Sequence, residues 1–467
     1  MRRGTVRAPR APARRGLPEE QQVARLNRGV RRESARWRFD EAVPFGPHLL
    51  ARRFSLGNGL RVWLLRDAAA PTVSYQTWYR VGSRHETPGK TGLAHLFEHL
   101  MFGATTNHPA GEFDRLLESA GAETNAATWT DWTHYYEHLP KRELALAVRL
   151  EADRMQHLVL REAEVRSEKE VVANERRYRV DDDVEGAATE RLFALALRRH
   201  PYRWPTIGWM RDIERFSLED CERFYRTYYA PNNATVVVAG DFSEAHALEL
   251  IAAHYGGMEA ASIPAEQVVR EPRQRRERRE TMRFETQTPK LLVGYPAPAY
   301  ADQAHATATV ASLLLCDGRL GRLSRRLEYD LEYASSCDAS LTPFRHAGLY
   351  DLFIDLREDI ALDDVVRVVD EELARLAEAP CARDELERAK NRLELGFLHG
   401  METAGGKAEL LGFHDTVTGD ARTVFQRLDE YRAVSAEDVQ ALAADLFGQG
   451  KRTRVDVVPA SARVRAR

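Results

Sequence analysis

The order of strand-like and helix-like segments repeats once along the chain, and this repeat limits the possible folds more than any other feature. Residues 71–83 are rich in Val, Thr, Tyr and Trp, as strands are, and residues 91–103 have apolar side chains at helical spacing. More strand-like segments and long charged helices follow. A strand-like segment at 288–298 and an apolar helix at 303–316 then start the same order again. The pattern predicts an α+β fold with two similar halves.

Composition divides the chain into four regions. Residues 1–45 begin with MRRGTVRAPRAPARRG, which is basic and rich in Pro and Ala, and we expect a disordered tail there. Residues 259–283 are charged, contain prolines and have no apolar period, which indicates an exposed linker. The two folded domains are therefore expected at 46–258 and 284–460.

The basic start of the tail has no apolar segment behind it, so it is not typical of a secretory signal. We therefore expect a cytoplasmic protein, with an organelle transit peptide as the alternative. From Glu19 to Phe39 we expect the chain to be helical.

The bulk composition excludes several classes of protein. The formal net charge is −3, so no basic field favours nucleic acid as a partner. No apolar run approaches the roughly 20 residues that a membrane span requires. The cysteines form no CxxC pair, which fits a reducing compartment. They are Cys221, Cys316, Cys337 and Cys381.

Two segments match the pattern HxxEH, and their local surroundings distinguish them. The first, HLFEH at 95–99, lies in a segment with helical spacing, where His95 and His99 stand one turn apart and about 40° apart around the axis. Both imidazoles can therefore reach one metal ion. Glu98 lies about 60° to the other side of His95, close enough to contact a water without being a ligand itself. We interpret HLFEH as a zinc-binding helix.

The second match, HYYEH at 134–138, lies among aromatic and β-branched residues and is followed within two residues by a proline, which favours a strand. In a strand, His134 and His138 would share a face but lie about 13 Å apart, too far for one ion. Glu137 would point to the opposite face. This match is therefore interpreted as structural.

A zinc site needs a third protein ligand, because catalytic zinc usually has three and keeps an open position for water. The segment at 162–178, EAEVRSEKEVVANERRY, offers several glutamates. Glu168 and Glu175 are two helical turns apart on one face. Either could supply the third ligand, and an ordinary solvated acidic face is the alternative.

Several separate segments carry a resemblance to a known family. They are GLAHLFEHLMFGAT at 92–105, NAATWTDWTHYY at 125–136, EKEVVANE at 168–175, HPYRWPTIGW at 200–209 and YYAPNNATVVVAGDF at 228–242. Together they resemble the M16 family of zinc metallopeptidases, the inverzincins, over most of the chain. The resemblance implies two halves, each a mainly antiparallel sheet covered by helices. It also implies one zinc ion bound by His95, His99 and Glu175, with Glu98 as catalytic base and Glu168 as a supporting carboxylate.

The same resemblance implies the reaction and the substrate. The activity would be that of a zinc-dependent metalloendopeptidase. An extended or unfolded peptide would add as a strand to the sheet edge around Asn125, Ala126 and Thr128, which requires no strict sequence.

The chain length resembles the short-subunit branch of the family, in which two subunits enclose a chamber. Active members often carry an Arg and a Tyr seven residues apart in the C-terminal half. The matching positions here are Glu328 and Ser335, and Tyr333 is two residues off. This departure implies a homologous partner subunit that supplies the Arg and Tyr pair, with a homodimer as the alternative. The alternative functions are a non-proteolytic structural subunit and a zinc hydrolase with a non-peptide substrate.

Overall fold

The computed structural model describes residues 19–460. The strands are β1 (Trp37–Phe45), β2 (Leu49–Leu56), β3 (Arg61–Arg66), β4 (Thr72–Tyr79), β5 (Glu123–Thr128), β6 (Thr133–Pro140), β7 (Ala234–Gly240), β8 (Arg278–Phe284), β9 (Lys290–Ala297), β10 (Ala334–Leu341), β11 (Gly348–Leu356) and β12 (Thr453–Pro459). The helices are α1 (Glu19–Leu26), α2 (Leu93–Leu100), α3 (Glu112–Ser119), α4 (Leu144–His157), α5 (Glu162–Arg176), α6 (Val184–Ala196), α7 (Met210–Ile213), α8 (Leu218–Tyr228), α9 (Glu244–Tyr255), α10 (Gln303–Cys316), α11 (Arg322–Ser324), α12 (Leu362–Glu378), α13 (Arg383–Gly400), α14 (Ala404–Val417), α15 (Thr423–Ala433) and α16 (Ala436–Leu446). Every helix in this range is too short or too polar to cross a lipid bilayer.

The two halves of the chain contain two sheets that share a topology of five strands. The strand order is β1-β2-β3-β7-β4-β6-β5 in the first sheet and β10-β11-β9-β12-β8 in the second. The stretch β3-β7-β4-β6-β5 is thus repeated as β8-β12-β9-β11-β10. In both stretches the first pair is parallel and the others are antiparallel. The prediction of an α+β fold with two similar, mainly antiparallel halves is confirmed.

Each half contributes a helix to the face of the other half's sheet. Helix α14, from the second half, packs on β4 and β7, where Leu411 joins a buried cluster with Trp78 and Val237. Helix α6, from the first half, packs on β9 and β12, where Leu192 joins a buried cluster with Leu292 and Val455. Neither sheet is therefore covered by its own half alone.

Residues 19–45 contain more regular structure than the composition indicates. After the short helix α1, the last nine residues of the expected tail (1–45) form β1, which pairs antiparallel with β2. The expected disorder is therefore wrong for residues 19–45, and residues 1–18 lie outside the described range. The expected helix begins at Glu19 but ends at Leu26 instead of Phe39. Burial of Trp37 and Phe45 against the first sheet outweighs the polar composition of this segment.

The expected linker at 259–283 also differs from the structure. Strand β8 begins at Arg278 and pairs in parallel with β12 at the edge of the second sheet. Its side chains alternate between half-buried and exposed, and most are polar or charged, so it has no apolar signal. Upstream of β8, Glu271 accepts hydrogen bonds from three backbone amides of the first half at 2.7, 2.8 and 3.0 Å. This segment is therefore attached to the first half by specific hydrogen bonds.

Candidate metal centre

Helix α2, which carries the first HxxEH segment, has a tightly packed start. Gly92 has a φ of +95°, and a Cβ at this position would lie 2.4 Å from the carbonyl oxygen of Ile207, so only glycine fits. Glu86 accepts hydrogen bonds from the amides of Gly92 at 2.8 Å and Ala94 at 2.7 Å. These bonds satisfy amides that the first helical turn leaves free. The helix is therefore fixed in position before any ligand binds.

The two sides of α2 have different surroundings. Leu96, Phe97 and Leu100 are buried in the core of the first half. His95, Glu98 and His99 are only partly buried. The helical spacing read from the sequence therefore places the three polar side chains outside the core.

Helix α5 brings a carboxylate to this polar side. Oε2 of Glu175 lies 3.7 Å from Nε2 of His95 and 3.4 Å from Nε2 of His99. The ligand atoms of the three side chains all lie within 4.8 Å of one another. Among residues 19–460, no other three His, Cys, Asp or Glu side chains gather their ligand atoms so closely.

The three donors fit a zinc ion. Two imidazoles and one carboxylate are a set that catalytic zinc uses. Donor atoms about 2.0–2.1 Å from a tetrahedral ion lie about 3.4 Å from one another. The two separations from Glu175, 3.4 and 3.7 Å, are close to that value.

The charges of the site also favour a cation. Burial lowers the pKa of His95 to about 4. Burial also acts to lower the pKa of His99, but Glu168 and Glu175 oppose it and raise that pKa to about 9. The interaction with His99 lowers the pKa of Glu175. A proton on His99 thus balances two carboxylates, and a divalent cation would displace it.

Glu168, the other candidate ligand on α5, lies on the opposite side of His99 from Glu175. Its Oε2 is 3.6 Å from Nδ1 of His99, the nitrogen that does not face Glu175. In that position its carboxylate can accept a hydrogen bond from Nδ1–H of His99, which leaves Nε2 free to bind a metal.

Glu98 lines a cavity of about 460 Å³ together with His99, Asn125 and Glu168. Burial raises the pKa of Glu98. A raised pKa suits a carboxylate that must accept a proton and later release it.

Strand β5 borders this cavity and is the last strand of its sheet. It pairs with β6 and, within residues 19–460, with no second strand. Asn125 is exposed and Ala126 is partly exposed, whereas Thr128 is buried beside Glu98. The segment expected to bind substrate therefore lies next to the HxxEH motif, with one backbone edge open.

The sequence analysis did not identify Arg179 as a residue of the site. It lies four residues after Glu175, a spacing at which side chains on a helix contact each other. Its Nε is 3.0 Å from Oε1 of Glu175, the oxygen that does not face the two histidines. The π-helical turn Arg177–Asp181, which continues α5, carries it. We interpret Arg179 as a positioning residue that keeps Oε2 of Glu175 directed at the histidines.

We expect Arg179→Gln to weaken zinc affinity by about 10-fold, the low end of the range for groups that orient a ligand, because the Arg179 side chain is 69% exposed. Competition with a chromophoric chelator measures this. Arg177→Gln is the matched control, because Arg177 contacts Asn174 instead of Glu175. Equal zinc affinity in the two variants would exclude the positioning interpretation.

The second HxxEH match lies in β6, as its residue types predict. His134 stacks on Trp78 with ring centroids 4.2 Å apart, and His138 contacts Oγ of Ser74 at 3.1 Å. Glu137 points to the other side of the sheet, where it is buried 3.4 Å from Arg154. The strand prediction for this segment is confirmed.

The positions matched to the family's Arg and Tyr lie in the second half. Glu328 lies in the π-helical turn Arg325–Asp330, and Ser335 lies on β10 with its Oγ 3.4 Å from the carbonyl oxygen of Asp355. Arg322 lies in the same part of the chain and could replace the missing Arg of the pair. It forms two hydrogen bonds with Glu385 at 3.0 and 2.7 Å. Its guanidinium is therefore already engaged.

Comparisons with known proteins agree with this geometry. Residues 61–208 match the family model described as insulinase (peptidase family M16), and residues 215–393 match the model described as peptidase M16 inactive domain. The first match contains both histidines and Glu175.

Relatives and solved structures extend the similarity. The chain is 28% identical to the zinc protease PqqE of Helicobacter pylori over 87% of this chain and 92% of that protein. It is 24% identical to the mitochondrial-processing peptidase subunit beta of Lentinula edodes over 90% of this chain and 91% of that one. The crystal structure of a protease from Helicobacter pylori superposes with a TM-score of 0.84 at 28% identity, covering 88% of this chain and 99% of that one. The chain belongs to the M16 peptidase family.

Proposed function

We propose that this chain is a zinc-dependent endopeptidase that cleaves extended or unfolded peptides. The observation that carries the proposal is that His95, His99 and Glu175 gather their ligand atoms within 4.8 Å of one another on two packed helices. Glu98 lies between the two histidines in sequence and lines the adjoining cavity. Relatives named zinc protease support the same activity.

In this proposal His95, His99 and Glu175 hold the zinc ion. Zinc, when bound, polarises a carbonyl group and makes water acidic enough to lose a proton near neutral pH. Glu168 orients His99 from its Nδ1 side, and Arg179 orients Glu175 from its Oε1 side. The chain thus supplies three ligands and two groups that orient them.

Glu98 moves the proton in the proposed reaction. Its carboxylate accepts a proton from the attacking water and later gives it to the leaving amine of the peptide. Burial raises its pKa, which makes its carboxylate a stronger base toward the water than an exposed glutamate would be.

The peptide would bind along β5 as an added strand. The free edge of β5 offers backbone N–H and C=O groups. These groups can bind any peptide in an extended conformation, whatever its sequence. Asn125 and Ala126 lie on this edge, and Asn125 lines the cavity that also contains Glu98. A peptide in this place would pass next to the zinc ligands.

A second subunit would complete the site. A carboxylate at Glu328 would repel a substrate carbonyl, and the hydroxyl of Ser335 already lies near a backbone carbonyl. We therefore propose a homologous M16-like partner that carries the Arg and Tyr pair, with a homodimer as the alternative assembly. The absence of the pair from this chain also keeps a non-proteolytic subunit as the second candidate function.

We expect the isolated chain to bind zinc yet to cleave an unfolded peptide about 10²–10³-fold more slowly than the complex with its partner, because that is the usual effect of losing an oxyanion donor. The measurement is a peptidase assay on the zinc-loaded chain alone and on the complex purified through a tag on this chain. Full turnover by the chain alone would contradict the need for a partner. Failure of the chain to retain zinc, both alone and in the complex, would favour the non-proteolytic subunit.

A further inference from the structure

Two cysteine side chains of the second half contact each other. The sulfur atoms of Cys316 and Cys337 lie 3.6 Å apart. Cys316 is the last residue of α10, and Cys337 lies on β10, where it pairs with Ile354 of β11. Both are free thiols. Neither belongs to the candidate metal centre, so this contact calls for a separate explanation.

The surrounding structure keeps the two residues together. The hydroxyl of Ser324, itself buried, lies 3.3 Å from the carbonyl oxygen of Cys316 and 3.2 Å from that of Cys337. One hydroxyl thus lies within hydrogen-bonding distance of the backbone carbonyls of both cysteines. Leu323 and Leu327 belong to the same buried core as Cys337. The contact between the sulfurs is therefore fixed by the packing of α10, α11 and β10.

The geometry points to a reversible disulfide between Cys316 and Cys337, which we propose as an oxidation site of this protein. A disulfide bond is about 2.05 Å long, so the sulfurs need to approach by only about 1.5 Å. This inference goes beyond the proposed peptidase activity and does not depend on zinc. A low-molecular-weight disulfide such as glutathione disulfide is the oxidant class.

The two sulfurs differ in access, and this sets the order of the reaction. Cys316 is partly exposed, whereas Cys337 is buried. The Cys316 thiolate attacks one sulfur of glutathione disulfide, forms a mixed disulfide and releases one glutathione thiolate. Cys337 then attacks the Cys316 sulfur, and its proton passes to the departing glutathione thiolate, which leaves as the second glutathione. The protein loses two electrons and two protons, and the oxidant becomes two glutathione molecules.

The interaction with Cys316, together with burial, raises the pKa of the Cys337 thiol. Because the thiolate is the nucleophile, Cys337 is a poor first attacker and acts once the mixed disulfide is beside it. The bond would join the two ends of segment 317–336, which contains Glu328 and Ser335. Oxidation would thereby restrain the segment in which this chain departs from its family.

The test uses the full-length, fully reduced protein. It is incubated with glutathione disulfide at mildly alkaline pH, quenched with acid, and alkylated under denaturing conditions before peptide mapping by mass spectrometry. We expect the four alkylatable thiols of the reduced chain to fall by two, with a peptide pair joined through Cys316 and Cys337. Dithiothreitol should restore all of them.

Variants test the order of attack. Cys337→Ser should retain one glutathione on Cys316, because the resolving thiol is gone, and Cys316→Ser should leave Cys337 unmodified. Cys221→Ser, a buried thiol on another helix, is the matched control and should still form the bond. In the unmutated protein, a stable glutathione adduct on Cys316, a crosslink between another pair, or complete alkylation after oxidation would each overturn the proposal. These three outcomes are measured on the unmutated protein, so they do not depend on the folding of any variant.

Discussion

We expect Glu98→Gln to lower kcat by about 10²–10⁴-fold, the usual contribution of a general base, while zinc remains bound. Glutamine has nearly the same shape and can still hydrogen-bond a water, but it cannot accept a proton at neutral pH. The metal content should not change, because Glu98 is not among the three side chains whose ligand atoms gather. The measurement pairs zinc analysis with a peptidase assay on the chain in its native complex.

Glu168→Gln is the control for the Glu98 variant. Both glutamates line the same cavity, but Glu168 contacts Nδ1 of His99 and would act only by orienting it. We expect a loss of about 10-fold, typical of such an orienting group. Near-normal turnover of zinc-loaded Glu98→Gln would remove Glu98 from the mechanism.

We expect His99→Ala to abolish both zinc binding and activity, because two donors remain where catalytic zinc needs three. The missing nitrogen is the one that lies 3.4 Å from Glu175. Zinc content, measured on the purified full-length variant, tests this without any peptidase assay.

His134→Ala distinguishes the two HxxEH segments. His134 packs on Trp78 in β6, so its loss should reduce thermal stability and leave zinc content unchanged. Loss of zinc from the His134 variant, with zinc retained in the His99 variant, would reverse the choice between the two segments.

The candidate metal centre lies in only one of the two similar halves of the chain. Helix α10 follows β9 in the second half as α2 follows β4 in the first. It carries a single histidine, His305, which is buried and contacts Thr309 and Tyr300. The same architecture therefore places the candidate metal ligands in one half and a core-packing histidine in the other.

Local periodicity was enough to distinguish the two HxxEH segments. Apolar residues at helical spacing around His95 and His99 predict a helix that directs both histidines to one side, and the structure contains that helix. Aromatic and β-branched residues around His134 predict a strand, and that strand is β6. Both predictions depend only on neighbours within a few residues. The local sequence is therefore sufficient to predict the helix and the strand.

Contacts between segments distant in sequence decided the rest. Glu168 and Glu175 share one helical face, and only the packing of α5 against α2 places Glu175 near Nε2 of both histidines and Glu168 near Nδ1 of one. Strand β8 has a charged sequence and is ordered because its backbone pairs with β12, more than 160 residues later in the chain. Hydrogen-bonded edges and side-chain separations of a few ångströms depend on how whole elements pack, and no local pattern of residues encodes them.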